Sequence, residues 1–207
     1  MTLILDLDGV VLKKNAAMNY QFSALFQKEG ISPVRFWRAY RQMRKVEMFS
    51  PHRLWKYFPP EFAHRKKQIA GRVLDFFKLS DRYMYTDAVR LIQWAHSHDI
   101  DICLYTHGED SVQGVKVRSI VRRYPYLRAV ITSDPAKKND FKQCLKQNDP
   151  WIWVDDSPVV AKHRTASERK HFLYLRRSAS IPVVKGVKTI RVLSEAPTII
   201  QQILNQE

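Results

Sequence analysis

Leu3-Ile4-Leu5-Asp6-Leu7-Asp8-Gly9-Val10-Val11 sets an apolar run directly against two carboxylates and a glycine. A short run of branched apolar residues bounded by polar ones reads as a buried parallel strand. The acids fall where that strand gives way to a loop, and in an open α/β sheet ligands bind beyond the carboxyl ends of the strands. Side chains at i and i+2 of a strand point the same way, which would turn Asp6 and Asp8 toward a common site. Like charges that close are costly unless a cation or a proton relieves them. Asp-x-Asp-Gly also occurs in ordinary turns. An EF-hand calcium loop is a poor fit, because the places for its glycine and its last glutamate hold Val11 and Ala17.

Two more apolar runs end in the same manner. Ile100–Tyr105 leads into Thr106-His107-Gly108, and Trp151–Val154 leads into Asp155-Asp156-Ser157-Pro158. Ala129–Thr132, before Ser133-Asp134-Pro135, and Thr189–Leu193 are also expected as strands. Helical patterns alternate with them, at Asp87–His96 and at Lys138–Gln147. Alternating strands and helices predict a parallel sheet covered on both sides, a Rossmann-like three-layer α/β/α sandwich.

Residues 13–82 break the alternation. Pro33, Pro51, Pro59-Pro60 and Gly30 cut this stretch into helical pieces, and no strand pattern is evident. Arg35, Arg38, Arg41 and Lys45 recur at helical spacing, with Phe36, Trp37, Tyr40 and Met43 on another face. The domain reading is therefore a core of residues 1–12 and 83–207 with a small all-helical insertion at 13–82. The insertion holds 16 Lys or Arg against 5 Asp or Glu, and 13 of the 24 aromatic residues. Aromatics are usually core and basic stripes usually solvated; the other reading is a basic wall facing an anionic substrate.

The chain has 207 residues, enough for one substantial core with a smaller module. Its formal net charge of +15 draws anionic substrates, nucleic acid or anionic surfaces, and says nothing of fold. Cys103 and Cys144 have no metal or redox spacing and read as two thiols of a reducing compartment. Met1-Thr2 offers no basic leader, and no run approaches membrane-span length. The expectation is a cytoplasmic protein with no membrane partner. Oligomeric state leaves no trace in the sequence.

The ordered set Asp6-x-Asp8-Gly9, Thr106, Lys137-Lys138 and Asp155-Asp156 resembles the haloacid dehalogenase (HAD) superfamily, which carries four such motifs in this order. The match covers the core, and the insertion resembles the helical, C1-type cap of many members. The resemblance implies a Mg²⁺-dependent phosphatase that hydrolyses a phosphate monoester, a phosphorylated and therefore anionic small molecule. Asp6 would be the nucleophile, forming an aspartyl-phosphate. Asp8 would protonate the leaving oxygen and then activate water. The metal would take the Asp6 carboxylate, the Asp8 backbone carbonyl and one or both of Asp155 and Asp156. Thr106 would hold one phosphoryl oxygen, helped by backbone N–H groups near His107, and a lysine another. Lys138 is the choice for that lysine, with Lys137 its competitor and Lys142 a distant third.

Members that cleave carbon–halogen bonds lack an acid two residues after the nucleophile, so Asp8 points to phosphate esters. His107 stands where members often have asparagine and reads first as a loop hydrogen-bonder. The stretch from His163 to Val187, with Arg164, Arg169, Lys170, Arg176 and Arg177, reads as a solvated helix and loop. Two other functions are open: a nucleic-acid-end or nucleotide phosphatase whose basic cap tracks a polyanion, and a non-catalytic regulatory protein that keeps the fold.

Overall fold

The computed structural model describes residues 1–138, 140–146 and 149–204. Its strands are β1 (Thr2–Leu5), β2 (Asp101–His107), β3 (Arg128–Thr132), β4 (Trp151–Asp155), β5 (Phe172–Leu175) and β6 (Lys188–Ile190). Its helices are α1 (Ala16–Ala24), α2 (Pro33–Val46), α3 (Pro51–Leu54), α4 (Lys66–Phe77), α5 (Thr86–Ser97), α6 (Asp110–Arg123), α7 (Pro158–Lys162) and α8 (Ala196–Leu204). The chain divides into two compact units: Met1–Lys13, Met84–His107 and Tyr124–Glu207 form one, Lys14–Tyr83 and Gly108–Arg123 the other.

The first unit is the sheet, in the order β3-β2-β1-β4-β5-β6 with every pair parallel. Thr2–Leu5 is buried throughout, which is why β1 reads as an unbroken run rather than an alternation. Leu5 is in register with Leu104 of β2 and Val154 of β4. The carboxyl ends of these three strands are therefore level, with β1 in the middle. One face of the sheet buries Ile4, Cys103, Tyr105, Trp153, Phe172 and Tyr174 together with Phe141, Val160, Ala161 and Val184. On α5, Ala88, Leu91, Ile92 and Ala95 form the buried stripe, and this helix packs against β2. Each large side chain so buried contributes about 1.5–3 kcal/mol.

Three expectations are corrected here. The stretch 163–187 is not only helix and loop: β5 runs through it, and all four of its residues are buried. Phe172-Leu173-Tyr174-Leu175 is a short apolar run whose basic flanks dominate the local pattern. The helix expected at Lys138–Gln147 is a single 3₁₀ turn, Phe141–Cys144, that buries its first and last residues; Asn139 and Gln147 lie outside the described residues. Cys103 and Cys144 are joined in a disulfide rather than standing as two thiols. Their separation of 41 residues hid the pairing; β2 and the 3₁₀ turn deliver both sulfurs to one buried face.

The second unit is all-helical. Phe22, Phe26, Phe36, Phe58, Phe62, Phe76 and Phe77 share one core with Ile31, Met43, Leu54, Ile69 and Val73, and α6 adds Val112. Phe26 stacks on Phe36 at 4.4 Å between ring centres. The phenylalanines of the insertion are thus packing residues. Ser32 opens α2, its Oγ accepting from the Arg35 N–H at 3.4 Å with Pro33 in the first helical position. Buried Glu29 is satisfied by Arg65, Arg72 and Gln68. Among the described residues no helix is long and apolar enough to cross a membrane.

Candidate active site

The chain leaves β1 at Asp6, whose N–H still donates to the Val154 carbonyl at 3.0 Å. Residues 7–12 then curl into a turn in which the Leu7 carbonyl accepts from both Val11 and Leu12. Strand alternation therefore stops before Asp8, and Asp8 is placed by the turn, half-buried. Gly9 is where the turn needs glycine: its φ is +99°, and a Cβ there would collide with the Asp156 carboxylate. The glycine of the first motif is thus the surface on which an acid of the fourth motif rests.

Asp6 and Asp155 are buried and Asp156 is half-buried, with one carboxylate oxygen from each lying within 4.8 Å of the others. The Asp8 carboxylate is not part of this group. Asp155 Oδ1 accepts from the Ser157 N–H at 2.8 Å, and Ser157 caps α7. An all-oxygen set of three converging carboxylates suits a hard divalent cation such as Mg²⁺, so the residues present fit that ion.

The lysine among these acids is Lys137, not Lys138. Lys137 Nζ donates to Asp6 Oδ1 at 2.5 Å, Asp155 Oδ2 at 2.8 Å and the Tyr105 carbonyl at 3.0 Å. It thereby ties together the level ends of β1, β2 and β4. Burial alone would lower the pKa of this ammonium, but Asp155 and Asp6 outweigh it and hold the value above that of an ordinary lysine. Lys138 is exposed, and its contact with the loop is a backbone N–H donated to Asp134 Oδ2 at 2.7 Å. Asp134 decides between the neighbours. Its carboxylate and carbonyl accept from the N–H groups of Ala136, Lys138 and Lys137, coiling the loop so that residue 137 turns inward. Lys137 adopts φ +52°, left-handed backbone rare for a side chain of this kind.

A buried guanidinium supports that backbone. Arg164, 3% exposed, donates to the Ala136 carbonyl at 2.9 Å and the Lys137 carbonyl at 3.4 Å while lying over the Trp153 ring at 4.6 Å. Arg177 does similar work on the loop after Asp8. It donates to the carbonyls of Gly9 and Val10, both at 3.2 Å, and makes a two-toothed pair with Asp87 at 2.8 and 3.0 Å. Its guanidinium stacks over Tyr85 at 3.8 Å. Neither arginine is part of the solvated stretch expected from the sequence. The available signal was the run Phe172–Leu175: read as a strand, it puts Arg177 just beyond a strand's carboxyl end, where the other site residues lie.

Thr106 is buried near the end of β2, directly after the Tyr105 whose carbonyl holds Lys137, and half-buried His107 closes the strand.

No protein-family model matches the chain, and no curated protein sequence does. Solved structures match over almost the whole length. A haloacid dehalogenase-like hydrolase of Burkholderia xenovorans LB400 superposes with a TM-score of 0.72 at 14% identity, covering 98% of this chain and 97% of that one. A protein of Thermotoga maritima assigned as a β-phosphoglucomutase gives 0.65 at 11% identity, over 98% and 99%. The HAD-hydrolase YfnB of Bacillus subtilis, solved with magnesium bound, gives 0.63 at 15% identity, over 96% and 97%. A structure described as a dehalogenase also matches, at 0.57 and 11% identity over 96% of each chain. With its parallel sheet, its all-helical unit and this agreement over its length, the chain has the fold of the haloacid dehalogenase-like hydrolases.

Proposed function

We propose that the protein is a Mg²⁺-dependent phosphatase that hydrolyses a phosphate monoester through an aspartyl-phosphate on Asp6. The observation that carries this reading is the Lys137 ammonium set between Asp6 and Asp155, with Asp156 alongside, at the carboxyl ends of three adjacent parallel strands. Nucleophilic acids for phosphoryl transfer need a nearby cation, because carboxylate and phosphate repel. The fold alone does not choose the bond, since phosphomutase and dehalogenase structures both match it. Asp8 makes the choice here: a second carboxyl just after the nucleophile supplies a proton donor, which an alkoxide leaving group needs and a halide does not.

In the first step an Asp6 oxygen attacks phosphorus, the ester P–O bond breaks, and the departing alkoxide takes the Asp8 proton. Water then attacks the same phosphorus and gives its proton to Asp8, freeing phosphate and restoring the Asp6 carboxylate. Lys137 fixes the rotation of Asp6 and offsets charge on the phosphoryl group, and Thr106 donates its hydroxyl to a phosphoryl oxygen. Mg²⁺, held by Asp6, Asp155, Asp156 and the Asp8 carbonyl, would supply electrostatic screening between nucleophile and substrate.

The test is hydrolysis of p-nitrophenyl phosphate with Mg²⁺ and with EDTA, for the wild type and Asp6→Asn. We expect EDTA to abolish turnover, and Asp6→Asn to lower kcat by about 10⁴-fold or more with an unchanged circular dichroism spectrum. Wild-type turnover by Asp6→Asn would overturn the assignment.

A further inference from the structure

The all-helical unit carries a cation array that no acid of the unit neutralises, although Arg41 Nε donates to the Trp37 carbonyl at 3.2 Å. Lys14–Tyr83 and Gly108–Arg123 together hold 19 Lys or Arg against 7 Asp or Glu. The acids are mostly committed elsewhere: Glu29 to Arg65 and Arg72, Glu47 and Glu109 to Arg53, Asp75 to Lys78, and Asp81 to Ser119 and Arg123. None reaches α2. That helix contains no acid, and Arg35, Arg38, Arg41, Arg44 and Lys45 are all exposed. Among the described residues, none of these five forms an ion pair. Like charges three and four residues apart destabilise a helix. The helix dipole favours Arg44 and Lys45 in the last turn but disfavours Arg35 in the first. Packing does not explain the array either, because α2 is held down by Phe36, Ala39 and Met43 on its other face.

We propose that this face of α2 binds the phosphate backbone of double-stranded nucleic acid, independently of which ester the sheet unit hydrolyses. Arg35, Arg38, Arg41 and Lys45 follow one strip of the helix and span about 15 Å at 1.5 Å per residue. Over that length of axis a duplex presents about nine phosphates on its two strands together, enough to offer one to each of the four cations. A single strand fits less well, since sequence-tolerant binding of it needs exposed aromatic platforms. Trp37 and Tyr40 instead pack partly buried against the phenylalanine core. An anionic membrane fits less well too, because surface-lying helices need an apolar face. The large apolar residues exposed on α2 are Val34 and Val46, one at each end.

Fluorescence anisotropy with a labelled 20-base-pair duplex between 50 and 200 mM NaCl tests the proposal. About four phosphate contacts give a slope of log K against log salt of roughly −3 to −4. The triple variant Arg38→Gln/Arg41→Gln/Lys45→Gln should bind at least about tenfold more weakly at 50 mM, with a slope smaller by about 2–3. The control Lys56→Gln/Lys66→Gln/Lys67→Gln removes the same charge from exposed positions outside α2 and should keep the wild-type slope within about 1. Both variants should hydrolyse p-nitrophenyl phosphate at the wild-type rate, so this result and the hydrolysis reading stand or fall separately. Equal loss in the two variants, no loss in the first, tighter binding of a single strand, or tighter binding of anionic vesicles would each overturn it.

Discussion

Lys137 Nζ sits 2.5 Å from Asp6 and 2.8 Å from Asp155, joining the first and fourth sequence motifs through a residue from the third. All three side chains are at least nine-tenths buried. Removing one partner of such a cluster strands the others, which costs about 3–5 kcal/mol. Lys137→Gln should therefore lower both the melting temperature and, by about 10²–10³-fold, kcat. Lys138→Gln should leave both within twofold or a degree or so, as expected for an exposed side chain. Thermal unfolding and steady-state kinetics on the two variants check this pair, and reversed phenotypes would refute the assignment.

Arg164 acts on the same lysine from behind. It donates to the carbonyls on either side of the left-handed Lys137 backbone. Arg164→Met keeps much of the packing on Trp153 but leaves the Ala136 carbonyl without that donor, so we expect a stability loss of about 1–3 kcal/mol. The kcat should fall more than KM changes, because Lys137 loses its placement. Arg164→Lys should not restore activity, since a lysine lacks the flat fork that stacks and donates at once. Rescue by that variant would show that charge alone suffices.

The sheet was legible because β1, β2 and β4 are apolar runs that stop at acids or at Thr106, so strand, polarity and chemistry change at one residue. β5 was not, because four apolar residues between basic flanks carry too little periodicity to stand out. The choice between Lys137 and Lys138 was hidden for a different reason. Adjacent lysines are chemically alike, and what separates them is the turn that Asp134 organises through four hydrogen bonds to the loop and its own strand. The Cys103–Cys144 bond and the Arg177–Asp87 pair depend on tertiary placement across 41 and 90 residues. No local pattern reports such contacts.

Gly9 yields a test of the metal reading. An alanine there would have to hold φ near +99° and push its Cβ into Asp156. Gly9→Ala should therefore displace one of the three clustered carboxylates while leaving Asp6 and Lys137 in place. We expect the Mg²⁺ concentration for half-maximal activity to rise about 10–100-fold, the size typical of disturbing the support of a metal ligand. A magnesium titration of hydrolysis measures this directly, and an unchanged midpoint would remove Asp156 from the ligand set.

The Arg177–Asp87 pair predicts how stability follows pH. Burial alone would raise the Asp87 carboxyl, but donation from Arg177 and from the Leu193 N–H outweighs it and holds the folded pKa below the ordinary aspartate value. A carboxyl depressed in the folded state stabilises the protein above its unfolded pKa of about 3.9, and that contribution is lost as pH falls through the lower folded value. Asp87→Asn should cost on the order of 1 kcal/mol at neutral pH, a modest figure because the pair is partly open to solvent. Below about pH 4 the gap between variant and wild type should narrow, since the unfolded carboxyl then binds a proton that the folded one still resists, and it should close as pH falls through the lower folded value. Melting temperatures from pH 3 to 7 give both curves. Parallel curves with a constant gap would mean that the carboxylate charge contributes nothing, and that Arg177 holds the Gly9 and Val10 carbonyls without help from Asp87.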